Sequence, residues 1–239
     1  MRFQALATDY DGTLAHDGVV DEPTLAAVDR LLASGRQAIL VTGRELDDLI
    51  KTCPYLDRFV RIVAENGAMV YDPATREVRM LTEPPSEAFV AALAARRIPM
   101  SVGRSIVATV EPYEQEVLAV IRDLGLEWHV IFNKGSVMAL PSGVNKATGL
   151  KVVLKDLGLR SEEVVGVGDA ENDHAFLAMC GLAVAVSNAL PALKERADWV
   201  THNVRGAGVA ELIDRMLTND LADLATLATA GDPSPGVVT

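Results

Sequence analysis

The first apolar run, Phe3-Gln4-Ala5-Leu6-Ala7-Thr8, is short and nearly unbroken by polar residues, as a parallel strand covered on both faces requires. The period then lengthens. Between Pro23 and Ser34, Leu25, Val28, Leu31 and Leu32 share one helical face, with Asp21 as a cap and Gly35 as a stop. Ala38-Ile39-Leu40-Val41 predicts a second buried strand, Glu45 to Thr52 a helix closed by Pro54, and Ile62-Val63-Ala64 a third strand. From Met69 to Leu81, two extended runs flank Asp72-Pro73-Ala74-Thr75, which reads as a hairpin turn.

Beyond Glu83-Pro84-Pro85 the order changes to helix (86–96), strands (100–102 and 106–110), helix (113–124) and strands (128–132 and 137–140). This α-β-β-α-β-β order predicts a small sheet with helices on one face, inserted over 83–143. The first pattern then resumes, with helices over 146–157, 172–180, 191–196 and 207–217 between strands at 164–167, 182–186 and 199–200. The expected fold is α/β: a doubly wound, Rossmann-like parallel core sheet from 1–82 and 144–218, with a small inserted α+β domain. Residues 219–239, ending in Gly231-Asp232-Pro233-Ser234-Pro235-Gly236, read as a tail or linker.

Composition narrows the function classes. At 239 residues and 49% hydrophobic, the chain can bury a sizeable core. Its net charge of -11 argues against a nucleic-acid partner, because phosphate backbones repel an acidic surface. It leaves small anionic substrates open, since a local basic pocket reverses the field. Cys53 and Cys180 have neither metal spacing nor a disulfide framework. No apolar run is long enough for a membrane span. Met1-Arg2-Phe3 leads to Asp9 without the features of a signal peptide, so a cytoplasmic location is expected.

Four short polar segments follow predicted strands, where open α/β sheets bind ligands. Asp9-Tyr10-Asp11-Gly12 puts two carboxylates on one side of an extended segment. Held that close, they repel unless a cation binds or a proton is shared, and magnesium suits a few carboxylates plus substrate phosphate. The pair reads as a metal site, as a nucleophile with an acid/base, or as an ordinary Asp-Gly turn. Thr42-Gly43-Arg44 can hold an anion at a helix start, although a simple capped helix explains it as well. Lys146, after Asn145, is either a phosphate-neutralising charge or a solvated surface lysine. Gly168-Asp169-Ala170-Glu171-Asn172-Asp173 carries more acid than capping needs and favours a metal site.

The order Asp-x-Asp-Gly-Thr, Thr-Gly-Arg, Lys, Gly-Asp-x-x-Asn-Asp resembles the haloacid dehalogenase (HAD) superfamily, specifically its Cof-like (subfamily IIB) phosphatases. Glu65-Asn66-Gly67-Ala68, Ala185-Val186-Ser187-Asn188-Ala189 and Gly206-Ala207-Gly208-Val209-Ala210 match the same branch. The resemblance implies a phosphatase with Asp9 as nucleophile and Asp11 as acid/base. It implies Mg2+ on Asp9, the Asp11 carbonyl, Asp169 and Asp173, and phosphate held by Thr42, Gly43, Lys146 and Asn172. The insert becomes a cap over the substrate, and its small size is similar to archaeal-type phosphoglycolate phosphatases and sucrose-phosphate phosphatases. Arg44 and Arg104 are the expected substrate contacts, with His129 and Lys134 as further cap candidates. The expected partner is a small phosphorylated metabolite, phosphoglycolate first and a sugar phosphate second. The rival readings are a phosphomutase, which would need a basic cap built from Arg96, Arg97, Arg104, Arg122 and Lys134, and a regulatory module sensing a phosphometabolite.

Overall fold

A computed structural model describes residues 1–224 of the chain. β1 (Ala5–Thr8) buries all four of its side chains, as its apolar run demands. α1 (Glu22–Ala33) begins where the Asp21 side chain accepts the Thr24 N–H at 2.9 Å, a cap worth about 1 kcal/mol. β2 (Gln37–Val41), α2 (Leu46–Thr52) and β3 (Arg61–Ala64) complete the first half-sheet. The predicted hairpin forms as β4 (Met69–Asp72) and β5 (Glu77–Met80), where Asp72 accepts the Ala74 N–H at 2.9 Å to shape the turn.

The insert contributes α3 (Glu87–Ala95), β6 (Ser101–Val102), β7 (Val107–Val110), α4 (Glu114–Asp123), β8 (Trp128–Asn133) and β9 (Ser136–Pro141). The chain then returns through α5 (Lys146–Leu157), β10 (Val164–Gly168), α6 (His174–Met179), β11 (Leu182–Ala185), α7 (Pro191–Lys194), β12 (Trp199–Val200) and α8 (Arg205–Asn219).

The large sheet runs β12-β11-β10-β1-β2-β3-β4-β5, with its first six strands parallel and β4 and β5 antiparallel at one edge. From β1 the chain winds toward β2 and β3, and from β10 it winds the opposite way toward β11 and β12. The crevice at that reversal lies between the carboxyl ends of β1 and β10. The insert forms a separate antiparallel sheet, β6-β7-β9-β8. Its own apolar cluster, including Phe89, Leu93, Val117 and Val120, draws on α3 and α4. A smaller cluster of Ala68, Ile106, Met138 and Leu140 joins the two sheets' domains. This is the α/β architecture read from the sequence, with the antiparallel insert as a cap.

The tail behaves differently at its start. Asp220 accepts the backbone N–H groups of Arg2 and Phe3 and pairs with Arg36 at 2.9 Å. Leu221 and Leu224 are buried in the main core. The linker-like composition from about Asp220 is therefore misleading for residues 219–224, because two leucines there find apolar neighbours. The remainder of that stretch lies outside the described residues. Among the described residues no helix is long and apolar enough to cross a membrane.

Candidate active site

The strand ends bring the predicted residues together. Asp9 follows β1 and Asp169 follows β10, the two neighbours at the sheet's reversal. Lys146 opens α5, and that helix can approach closely because of two glycines. A Cβ on Gly67 would come within 1.9 Å of the Asn145 carbonyl, and one on Gly149 would strike Val63 at 2.4 Å. The Asn145 side chain caps α5 through the Thr148 N–H at 3.1 Å and fixes where Lys146 begins.

Lys146 is only 1% exposed, so the surface reading of this lysine fails. Its ammonium donates to Asp9 Oδ1 and to Asp173 Oδ1, each at 2.6 Å. Burial works against that charge, but Asp173 and Asp9 outweigh it and hold Lys146 protonated well above the usual lysine range. Asp173 Oδ2 in turn accepts the Asp169 and Ala170 N–H groups at 2.8 and 3.0 Å, folding the acidic loop over the sheet end.

Asp9, Asp169 and Asp173 are all buried, and each offers an oxygen within 4.8 Å of the others. Burial pushes Asp9 well above the usual carboxylate range, Lys146 opposes it, and Asp173 and Asp169 add to it. Asp169 is also raised by burial, with Lys134 opposing. Asp169 Oδ1 has no hydrogen-bond partner. Three buried carboxylates share two ammonium groups, Lys146 on Asp9 and Asp173 and Lys134 on Asp169, and one Asp169 oxygen is orphaned, a hard oxygen-donor set one positive charge short of balance. That set fits a divalent cation of the magnesium type.

The other wall is made of uncharged groups. Thr42, at the end of β2, is 1% exposed and accepts the Arg44 N–H at 3.1 Å. A Cβ on Gly43 would touch the amides of Asn66 and Asn172 at 3.2 and 3.4 Å, so both side chains lie beside the Gly43 backbone. Asn172 donates to Asn66 at 2.9 Å, leaving its own Oδ1 buried without a partner. Asp11 is more open, and Arg44 grips its carboxylate through two hydrogen bonds of 2.6 and 2.8 Å. Arg44 also pairs with Asp48 and lies over the Tyr10 ring.

Beside these groups lies a cavity of about 370 Å³ roofed by the cap. Asp9, Asp11, Gly43 and Arg44 line its floor, and Ser101, Asn133, Ser136 and Met138 line its roof. Arg104 does not border it. That side chain turns outward to Asp47 at 2.7 Å, so the expected substrate contact is corrected to a tie across the cap–core seam. His129 sits opposite Leu140, toward the end of β8 away from the cavity. Lys134, beside Asn133, instead reaches Asp169.

Sequence reasoning assigned no role to Glu65 or Asn188. Glu65 is 1% exposed, has φ of 49°, and accepts the cap's Arg104 and Ser105 N–H groups at 3.0 and 2.8 Å. Its place next to a strand end was the available signal, but its left-handed backbone was not. Asn188 donates to the Gly12 carbonyl at 2.8 Å and accepts the Arg205 N–H at 2.7 Å, tying the first loop to the start of α8.

Fold and site together define the class: a doubly wound α/β protein with a buried, carboxylate-rich crevice at its strand ends, roofed by an inserted cap. The chain belongs to the haloacid dehalogenase-like hydrolase family, whose model matches residues 6–97 and 106–213. It is 32% identical over 226 residues to a phosphoglycolate phosphatase of Methanothermobacter thermautotrophicus, covering 90% of this chain and 99% of that protein. Phosphoglycolate phosphatase 2 of Saccharolobus solfataricus is 30% identical over 220 residues, at 90% and 93% coverage. The fold is shared with a haloacid dehalogenase-like hydrolase from Bacteroides thetaiotaomicron, with a TM-score of 0.75, 19% identity and coverage of 90% and 99%. It is also shared with a HAD subclass IIB sugar phosphatase, with a TM-score of 0.74, 19% identity and coverage of 89% and 98%.

Proposed function

We propose that this protein is a Mg2+-dependent phosphatase that hydrolyses a small phosphate monoester through a phospho-aspartate on Asp9. The observation that carries this reading is the placement of Asp9. It projects from the crevice into the cavity, held by Lys146 at 2.6 Å and flanked by two more carboxylates with too little positive charge among them.

Asp9, Asp169, Asp173 and the Asp11 main-chain carbonyl would hold the cation, which when bound neutralises charge on the phosphoryl oxygens and the Asp9 carboxylate. Thr42, Gly43, Asn172 and Lys146 hold the phosphoryl group, and Lys146 also orients the attacking carboxylate. A free Asp9 oxygen attacks phosphorus as the ester P–O bond breaks, and protonated Asp11 gives its proton to the leaving alkoxide. Asp11, now a carboxylate, takes a proton from water. That water attacks phosphorus, the P–O bond to Asp9 breaks and inorganic phosphate leaves. The Arg44 clamp positions Asp11 for its base role, and Arg44 retains Asp48 as a partner when Asp11 carries the proton.

A cavity of about 370 Å³ suits a small ester, and two relatives are named for phosphoglycolate. Phosphoglycolate is therefore the first substrate expected and a sugar phosphate the second. The test is phosphate release from a panel of small phosphoesters, with and without Mg2+. The expected result is release that needs Mg2+, stops on chelation and is fastest with phosphoglycolate. Undiminished release under chelation would contradict the metal assignment, and preference for a large ester would contradict the substrate class.

A further inference from the structure

The turn joining β8 to β9 consists of Lys134 and Gly135, between the paired residues Asn133 and Ser136. Both turn residues have positive φ, 46° and 87°, a two-residue hairpin geometry that Asn-Gly or Asp-Gly adopts most readily. A lysine is an uncommon first residue there. Its side chain leaves the cap and ends on Asp169 Oδ2, while its backbone N–H donates to Glu171 Oε2 at 3.2 Å. Both anchors lie in the acidic loop after β10.

The charge balance explains why that contact forms. Lys146 reaches Asp9 and Asp173. Asp169, fully buried, receives Lys134 and, at 3.4 Å, the Asn188 amide on the same oxygen. Without Lys134, a buried carboxylate would be left without a cationic partner. We infer that Lys134 is a cap-borne placeholder for the metal: with no metal bound, its ammonium neutralises Asp169 and pins the cap tip to the core, and a metal must displace it to bind. This rests on the reading of Asp9, Asp169 and Asp173 as the metal group.

Two consequences follow from mutual exclusion. Metal affinity is lowered by the fraction of molecules in which Lys134 occupies Asp169. By linkage, metal binding releases the cap tip to the same extent that the cap tip opposes metal. Lys134 is a positioning residue in this account, and its side chain, 39% exposed, has room to swing away.

The test titrates the full chain calorimetrically with MgCl2 alone in phosphate-free buffer. Lys134→Met is expected to bind Mg2+ about 5- to 10-fold tighter than the wild type, as removal of an occupying competitor requires. Lys134→Arg keeps a cation and is expected to stay close to the wild type. Amide exchange gives a second readout. Exchange over 133–136 is expected to speed up when Mg2+ is added to the wild type, and to be fast in Lys134→Met from the start. Unchanged or weaker Mg2+ affinity in Lys134→Met, with normal wild-type binding, would overturn the placeholder role alone. No Mg2+ binding by the wild type would overturn the metal-site reading and this inference with it.

Discussion

The floor and the roof of the cavity are built on opposite terms. At the base of the floor, Asp9 and, beneath it, Lys146, Asp169 and Asp173 are all buried, charged and bonded to one another or to backbone. Asp9 and Asp169 follow neighbouring strands of the parallel sheet, and Lys146 and Asp173 sit at the starts of helices packed on it. On the roof, Ser101, Asn133, Ser136 and Met138 stand on a small antiparallel sheet with its own core. They are neutral side chains: Ser101 donates to Glu45 and Met138 accepts from the Asn66 amide, and none of them bonds to the buried charges. Losing Lys146 strands two buried carboxylates without their shared cation, whereas the roof can change residue by residue. Under the proposed function, the contrast assigns the chemistry to the core and substrate selection to the cap.

That contrast breaks hardest at Lys146. Lys146→Ala leaves Asp9 and Asp173 buried without their shared cation, and should cost about 3–5 kcal/mol of stability in urea unfolding. Phosphate release should fall with it, and a variant of wild-type stability would show that the floor is not a single unit. Asp11→Asn acts on proton transfer and leaves the buried network intact. It should lower kcat by about 10²–10⁴-fold with little change in melting temperature. Glu65→Gln tests the seam, because its carboxylate accepts two cap N–H groups. A loss of about 1–3 kcal/mol is expected, with faster amide exchange at Arg104 and Ser105 than in the core sheet. The smallest effects belong to the roof. Asn133→Ala or Ser136→Ala should shift the ratio of kcat/KM between two phosphoesters by several-fold, about 1 kcal/mol per lost hydrogen bond, and leave unfolding unchanged. A roof variant that destabilised the whole chain as strongly as Lys146→Ala would erase the distinction.

The parts legible in the sequence were those set by period and strand ends. Phe3 to Thr8 and Val164 to Val167 read as buried strands from their apolar runs, the structure forms them as Ala5–Thr8 and Val164–Gly168, and the polar motifs follow. Lys146 was ambiguous, because a lysine opening a helix looks the same in sequence whether it faces water or two buried aspartates. Its burial depends on Gly67 and Gly149 letting α5 approach, a contact between distant segments. Arg104 was misplaced for a related reason. Membership of the cap does not say which way a side chain turns, and Asp47 on α2 captures this one. Glu65 depends on a left-handed backbone that a single sequence does not announce. Asp220 and Leu221 looked like a linker because the stretch they open ends in Gly231-Asp232-Pro233-Ser234-Pro235-Gly236, yet the N-terminus and the core supply their partners.

The central claim is that Asp9 attacks phosphorus. Its most direct test is phosphate release from phosphoglycolate in the presence of Mg2+, by the wild type and by Asp9→Asn at equal concentration. Asn keeps the size of the side chain but removes the nucleophilic carboxylate. The account predicts release by the wild type and background release by Asp9→Asn. Equal release by the two proteins would contradict it.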